Sequence, residues 1–452
     1  MKPSRVVPGL LALVLVVATI SVAFPITVPE EYAGETEYAQ EPVQVEGGEI
    51  DANATELWVW TQRALNRNVN VTPTIRIRDF EGTIADGAAM PTEATAFQRL
   101  LVYDDPDDEP PGGVLAFVTA GSPDVNVNRD RLPAVKNGSY GRTVEGLLVH
   151  EYTHVVQFQS EAVARSQPSL LSATSDDTLA YQATIEGGAE FVADDYTDDS
   201  AVERVRARWN DPRTSAAARL GQWPYYRGLV YLDERFAGPS DLWEIYENPP
   251  ASTAAILRGE AGGDGPPNRS LDLELADYHS EVDDRPGAAF AEVALSKEVD
   301  PERARDVATG WRWGALKSIQ PDRDTDADRS LRHVWVTEWQ SEAEADAFET
   351  AMTEYLDSRW GTENGTWSAQ GGPSFALERV DENSLAVLAG PDAFLADATV
   401  TVEGDEYVID SAGGTAASTS ASASTASIAP SGPLAGNAPT ASATSDPATA
   451  GI

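Results

Sequence analysis

Two histidines four residues apart flank a glutamate in the run His150-Glu151-Tyr152-Thr153-His154, and the chain holds only four histidines in all. On a helix, residues four apart share a face, their Cβ atoms roughly 5–6 Å from one another, so both imidazoles can reach one tetrahedral ion. Glu151 lies beside that face, placed to take a proton from a water on the metal without being a ligand itself. The bland reading of the same residues is a pair of core histidines satisfied by hydrogen bonds. Gathering half of the chain's histidines around a glutamate makes that account weak. The flanking residues, Leu147, Leu148 and Val149 before and Val155 and Val156 after, are apolar, as in a helix packed inside a domain with only its ligands facing a cleft.

A catalytic zinc takes three protein ligands and keeps one position for water. The chain has no cysteine, and His279 lies far along it in a polar stretch, so the third ligand is expected to be a carboxylate. The best candidate is Glu186 in Thr184-Ile185-Glu186-Gly187-Gly188-Ala189-Glu190-Phe191, where two glycines remove bulk next to the carboxylate. Glu190, one turn on, is placed to hold the outer nitrogen of His150. On sequence alone the two glutamates can exchange roles, or both can belong to a solvated acidic face.

With these residues the chain resembles the gluzincin metallopeptidases, the superfamily of thermolysin and the alanyl-aminopeptidase-like enzymes. Their pattern is His-Glu-x-x-His on one helix and a ligand glutamate on the next, and His150, Glu151, His154 and Glu186 match it position by position. Glu190 matches the place where thermolysin-like enzymes put a carboxylate behind a ligand. Pro224-Tyr225-Tyr226-Arg227-Gly228 resembles the Pro-Tyr-x-Lys-Gly segment of the aminopeptidase branch, which implies Tyr225 as a hydrogen-bond donor to the oxyanion, with Tyr226 and Tyr231 as competitors. The resemblance covers roughly residues 110–250 and departs from that branch in lacking a Gly-x-Met-Glu-Asn segment; Gly87-Ala88-Ala89-Met90-Pro91 is too poor a match. It implies a zincin-like domain, Zn2+ as cofactor, a peptide or protein as substrate, and hydrolysis with Glu151 as the base. Two other readings stay open: a non-catalytic cell-surface protein with a structural or vestigial zinc site, and a zinc hydrolase of non-peptide amides or epoxides.

Positioning these groups requires helices. Hydrophobic spacing predicts them over 56–66, 140–159, 179–196, 216–236 and 239–246, with strands at 74–78 and 114–118. Arg332 to Trp339 alternates as a strand, Glu342 to Arg359 is an amphipathic helix, and Ser374 to Val380 and Ser384 to Ala389 read as strands. The expected fold class is α+β: a zincin-like domain over 56–262 with a mixed sheet followed by a mainly helical part, a linker over 263–299, and a small α+β sandwich over 300–410.

At the ends, residues 1–24 carry a basic start and an apolar run, which predicts a signal peptide or an N-terminal membrane anchor. Residues 25–55 read as an acidic spacer, and 411–452, rich in Ala, Ser and Thr, as a disordered tail. The expected location is extracellular or at the cell surface, with cell-envelope association. The formal charge of -41 comes from 73 Asp and Glu against 32 Lys and Arg, and only Lys2, Lys136, Lys297 and Lys317 are lysines. In this the chain resembles haloarchaeal surface proteins; in molar salt a Debye length of about 3 Å screens such self-repulsion. The same charge argues against nucleic acid as a partner, because phosphates would be repelled.

Overall fold

The computed structural model describes residues 41–80, 96–103 and 114–411, apart from 139, 170–171, 198–200, 264, 277, 323–329, 364 and 369–371. The apolar N-terminal segment, most of the acidic spacer, the stretch Gly87 to Pro91 and the tail from 412 onward lie outside the described residues.

The fold is mixed α+β. Its first sheet holds β1 (Gln44–Glu46), β2 (Thr74–Arg78), β3 (Ala116–Val118) and β4 (Val125–Asn128) in the order β1-β2-β4-β3. β1 and β4 run parallel to β2, while β3 is antiparallel to β4. The alternation in β2 works as period two requires: Ile75 and Ile77 are buried and the arginines face away. Sequence periodicity misses β4, because asparagine reads as a turn residue. Here Asn126 and Asn128 are buried and donate to the Phe117 and Val114 carbonyls.

Around this sheet lie α1 (Ala54–Ala64), α2 (Ala96–Val102), α3 (Leu132–Lys136), α4 (Val144–Gln157), α5 (Glu161–Ser166), α6 (Ser175–Thr197), α7 (Ala201–Trp209), α8 (Ala216–Asp233), α9 (Trp243–Glu247) and α10 (Thr253–Leu257). α4 starts at Val144, not at Tyr140 as predicted. Gly141 has a positive φ of 65°, and the Thr143 side chain caps the helix by accepting from the Gly146 N–H at 3.0 Å. Every residue of α4 except Glu145 is buried, so this helix has no solvent face and must be packed all round. α6 is buried without interruption from Leu179 to Ala193.

α6 packs on both α4 and α8. Its approach to α8 is set by glycine: a Cβ on Gly187 would overlap the Gly228 backbone, and one on Gly228 would overlap the Ala183 carbonyl. The glycine pair expected to clear space for a carboxylate therefore also lets two helix backbones touch.

The segment read as a linker over 263–299 holds structure instead: β5 (Ser270–Leu273), β6 (Tyr278–Asp284) and α11 (Gly287–Leu295), the last buried at every position. The run Gly287-Ala288-Ala289-Phe290-Ala291 has no polar stripe, so it too can only sit inside. Its one charged residue, Glu292, pairs with buried Arg227 of α8 and accepts from Trp223 Nε1 at 2.8 Å.

After α12 (Pro301–Thr309) come β7 (Trp311–Pro321), β8 (Arg332–Trp339), α13 (Glu342–Arg359), β9 (Gly361–Glu363), β10 (Thr366–Ser368), β11 (Ser374–Arg379), β12 (Ser384–Gly390), α14 (Asp392–Asp397), β13 (Ala398–Glu403) and β14 (Glu406–Ser411). Six of these strands join β6 in an antiparallel sheet of order β6-β7-β8-β12-β11-β10-β9, and β13-β14-β5 form a smaller sheet. The sandwich predicted over 300–410 thus draws β5 and β6 from before residue 300, and Ser411 closes β14 where a tail was expected to begin.

All eight residues of β8 are buried, and they alternate between two cores. Val334 and Val336 join a cluster with Leu271, Leu388 and Tyr407 under the small sheet. Trp335 and Trp339 face a larger cluster that also contains Trp58, Leu147, Ile185 and Phe290. The helices that carry the site and the large sheet therefore share one core. Among the described residues no helix is long and apolar enough to cross a membrane.

Candidate metal centre

α4 presents His150, Glu151 and His154 toward α6, and one turn pattern on α6 presents Glu186 and Glu190 back. His150 Nε2 stands 3.1 Å from His154 Nε2, and Glu186 Oε2 lies 3.4 Å from the first and 3.3 Å from the second. Donors about 2.0–2.1 Å from a tetrahedral ion stand about 3.3 Å from one another. The three atoms thus mark three corners of a tetrahedron of zinc size. All three residues are buried, at 0%, 2% and 2% exposure, and neither Glu186 oxygen has a hydrogen-bond partner. A buried carboxylate with no formed hydrogen bond, facing two imidazole nitrogens at this spacing, fits a divalent cation. Among the described residues this is the group of His, Asp and Glu side chains close enough together to hold a metal.

Behind each ring sits a holder. Glu190 Oε1 is 3.5 Å from His150 Nδ1, ion-pair range rather than a formed hydrogen bond, and the same oxygen is gripped by Arg142. Burial works to raise the Glu190 carboxyl, but Arg142 and His150 together outweigh it and keep the group below the ordinary carboxylate range. His154 Nδ1 is 2.7 Å from Gln157 Oε1.

Glu151 is fully buried and both its oxygens lack partners. Burial, opposed by His154, pushes its carboxyl up to about 8. Positive charge at the neighbouring cluster acts the other way. The two rings diverge for the same reason of burial against charge. Burial takes His150 down to about 4, while for His154 the Glu186 carboxylate overcomes burial and raises it to about 9. Glu186 is correspondingly held down to about 2, burial being overcome by His154.

Tyr225, on α8, lies alongside His150 with ring centroids 6.3 Å apart and planes 17° from parallel. Its competitors are engaged elsewhere: Tyr226 packs on Trp209 under the Arg227 guanidinium, and Tyr231 donates to the Glu260 carbonyl at 2.8 Å. His279 is exposed between Glu281 and Asp322, and His333 is buried against Ser318; neither joins the cluster.

A family described as a domain of unknown function (DUF8575) matches residues 275–400. No curated protein and no solved structure matches the chain. The matched stretch runs from the end of β5 to the start of β13 and contains none of the clustered histidines and glutamates.

Sequence reasoning missed Arg142, Gln157 and Tyr246. Gln157 carried a usable signal, standing three residues after His154 on the same helix face. Arg142 precedes the helix, and Tyr246 comes from α9, so neither spacing could point to its partner.

Proposed function

We propose that the chain is a zinc-dependent metallopeptidase of the gluzincin type, with a zincin-like arrangement of the mixed sheet and α4, α6 and α8. The observation that carries this reading is the convergence of His150, His154 and Glu186 donor atoms at tetrahedral spacing, with the unpartnered Glu151 carboxylate one residue along. His150, His154 and Glu186 would hold the ion, which when bound polarises a water and the scissile carbonyl. Glu151 takes the proton of the attacking water and passes it to the leaving nitrogen, so a single carboxyl serves as base and then acid. Tyr225 donates a hydrogen bond to the oxygen that becomes negative as the carbonyl is attacked. Arg142 and Glu190 hold the His150 ring in orientation. The substrate class is peptide or protein, and the apolar segment over 1–24 supports export to the cell surface or beyond it.

Complete burial of the ligand set favours one rival, a site that holds zinc only for structure. The unpartnered Glu151 supports the catalytic reading, since a structural site has no use for a base. The test is hydrolysis of casein or a peptide library in molar salt, with and without chelator. Chelator-sensitive cleavage is expected. Glu151→Gln is expected to abolish turnover with zinc content unchanged; full activity in that variant would remove Glu151 from the chemistry, and a zinc-loaded wild type that cleaves nothing would leave the structural reading.

A further inference from the structure

Gln157 closes α4 and is fully buried, as is Tyr246 at 1% exposure. Its Nε2 donates to the Ile185 carbonyl at 2.9 Å and to the Tyr246 hydroxyl at 2.7 Å. A backbone carbonyl only accepts, so the amide nitrogen must face Ile185 and the amide oxygen must face His154. That oxygen, 2.7 Å from Nδ1, can only accept. The ring therefore donates through Nδ1–H, so the nitrogen left to take a cation is Nε2, which faces His150 Nε2 and Glu186. Space for this chain of bonds comes from Gly188, where a Cβ would overlap the Tyr246 hydroxyl and stand 3.1 Å from Gln157 Nε2. The second glycine of the pair thus serves the far side of the site, while Gly187 serves the approach of α8.

From this geometry we infer that Gln157, oriented by Tyr246 and the Ile185 carbonyl, is a positioning residue that locks His154 in the Nδ1–H tautomer and thereby sets the affinity of the centre for its metal. The inference rests on the metal-binding reading above. The two histidines are then held by different chemistry: His150 by a carboxylate that Arg142 neutralises, His154 by a neutral amide whose direction a backbone carbonyl dictates. A neutral acceptor fixes the tautomer without adding a further negative charge beside Glu186 and Glu151.

The test uses the full chain, stripped of metal and titrated with zinc against a chromophoric chelator of known affinity. Wild type is expected to take one zinc per chain; failure at this step rejects the metal reading itself and is seen before any variant is made. Gln157→Leu, close in size and without an acceptor, is expected to weaken zinc about 10–100-fold. Gln157→Glu, which keeps an oxygen against Nδ1 but loses the donor to the Ile185 carbonyl, is expected to fall between the Leu variant and wild type. In the zinc-loaded wild type, a 15N-correlated proton spectrum of the histidine rings is expected to show a slowly exchanging Nδ1–H on His154. Wild-type affinity in a folded Leu variant, or equal losses in the Leu and Glu variants, would overturn the inference, as would an Nε2-protonated His154. If the Leu variant does not fold, Tyr246→Phe carries the affinity test: it removes one of the two acceptors that orient the amide and is expected to weaken zinc by less, and unchanged affinity there overturns the inference too.

Discussion

Tyr225 is the residue whose role is least constrained by spacing and most by its surroundings. It lies one position before Tyr226 in a helix rich in aromatics, and periodicity cannot choose between them. The structure separates them by position, because the contacts of Tyr226 and Tyr231 lie away from the cluster while the Tyr225 ring lies flat beside His150. Removing one donor to a developing oxyanion costs about 10²–10³ in turnover. Tyr225→Phe is accordingly expected to lower kcat by about that factor, with KM and zinc stoichiometry little changed; steady-state kinetics with zinc analysis checks it, and a kcat like that of wild type would assign the oxyanion to another group. The pairing of His150 with His154 was legible in advance because a helix fixes which residues share a face, whereas the sequence left Glu186 and Glu190 exchangeable as the third ligand. Of the supporting residues Glu190 was named from the sequence, while Arg142 and Tyr246 were not, for a plain reason of distance. The Gln157–Tyr246 bond spans 89 residues and the Arg142–Glu190 pair spans 48, and no local rule reports contacts made across such intervals.

Among elements, those with a clear period were read to within a few residues, and β8 and α13 carry the bounds predicted for them. What escaped was of two kinds. Buried asparagines disguised β4 as a turn, and the uniformly apolar α11 showed no period because it is enclosed on all sides. The Gly187–Gly228 contact belongs to this scale as well, since its purpose appears only when two helices are placed together. Alanine at Gly187 gains about 1 kcal/mol of helix propensity, yet its Cβ must displace the α8 backbone at Gly228. Overpacking of that kind costs about 1–3 kcal/mol, more where backbone must move. Gly187→Ala is therefore expected to be destabilising on balance, by about 1–2 kcal/mol, in denaturant unfolding of the metal-free chain. Measuring it without metal keeps packing apart from ligation by neighbouring Glu186. Unchanged or increased stability would mean that α6 and α8 do not approach as closely as the glycines allow.

For the whole molecule, the large core joins Trp58 and Leu147 to Phe290, Trp335 and Phe348. The helices around the metal centre and the sheet matched by the family model are thus stabilised together, although a Gly- and Pro-rich stretch near 262–267 reads as a boundary. Composition gives no hint of this sharing, because punctuation in the chain marks turns and not the limits of a core. Charge acts at the same scale. Buried acids such as Glu190, Glu292 and Glu338 each face an arginine, so among the described residues the excess negative charge behind the chain's -41 lies mostly at the surface, where it repels itself and opposes compaction. Raising salt shortens the Debye length from about 10 Å at 0.1 M to about 3 Å at 1 M. The midpoint of thermal unfolding is therefore expected to rise by several degrees in potassium chloride over that interval and then to level off, because surface neighbours are already screened from one another at the upper end. A salting-out effect on apolar surface behaves differently, growing steadily beyond 1 M and more strongly with sulfate than with chloride. A midpoint that is flat below 1 M and climbs only above it would mean that burial of apolar surface, and not relief of repulsion among carboxylates, is what salt strengthens in this fold.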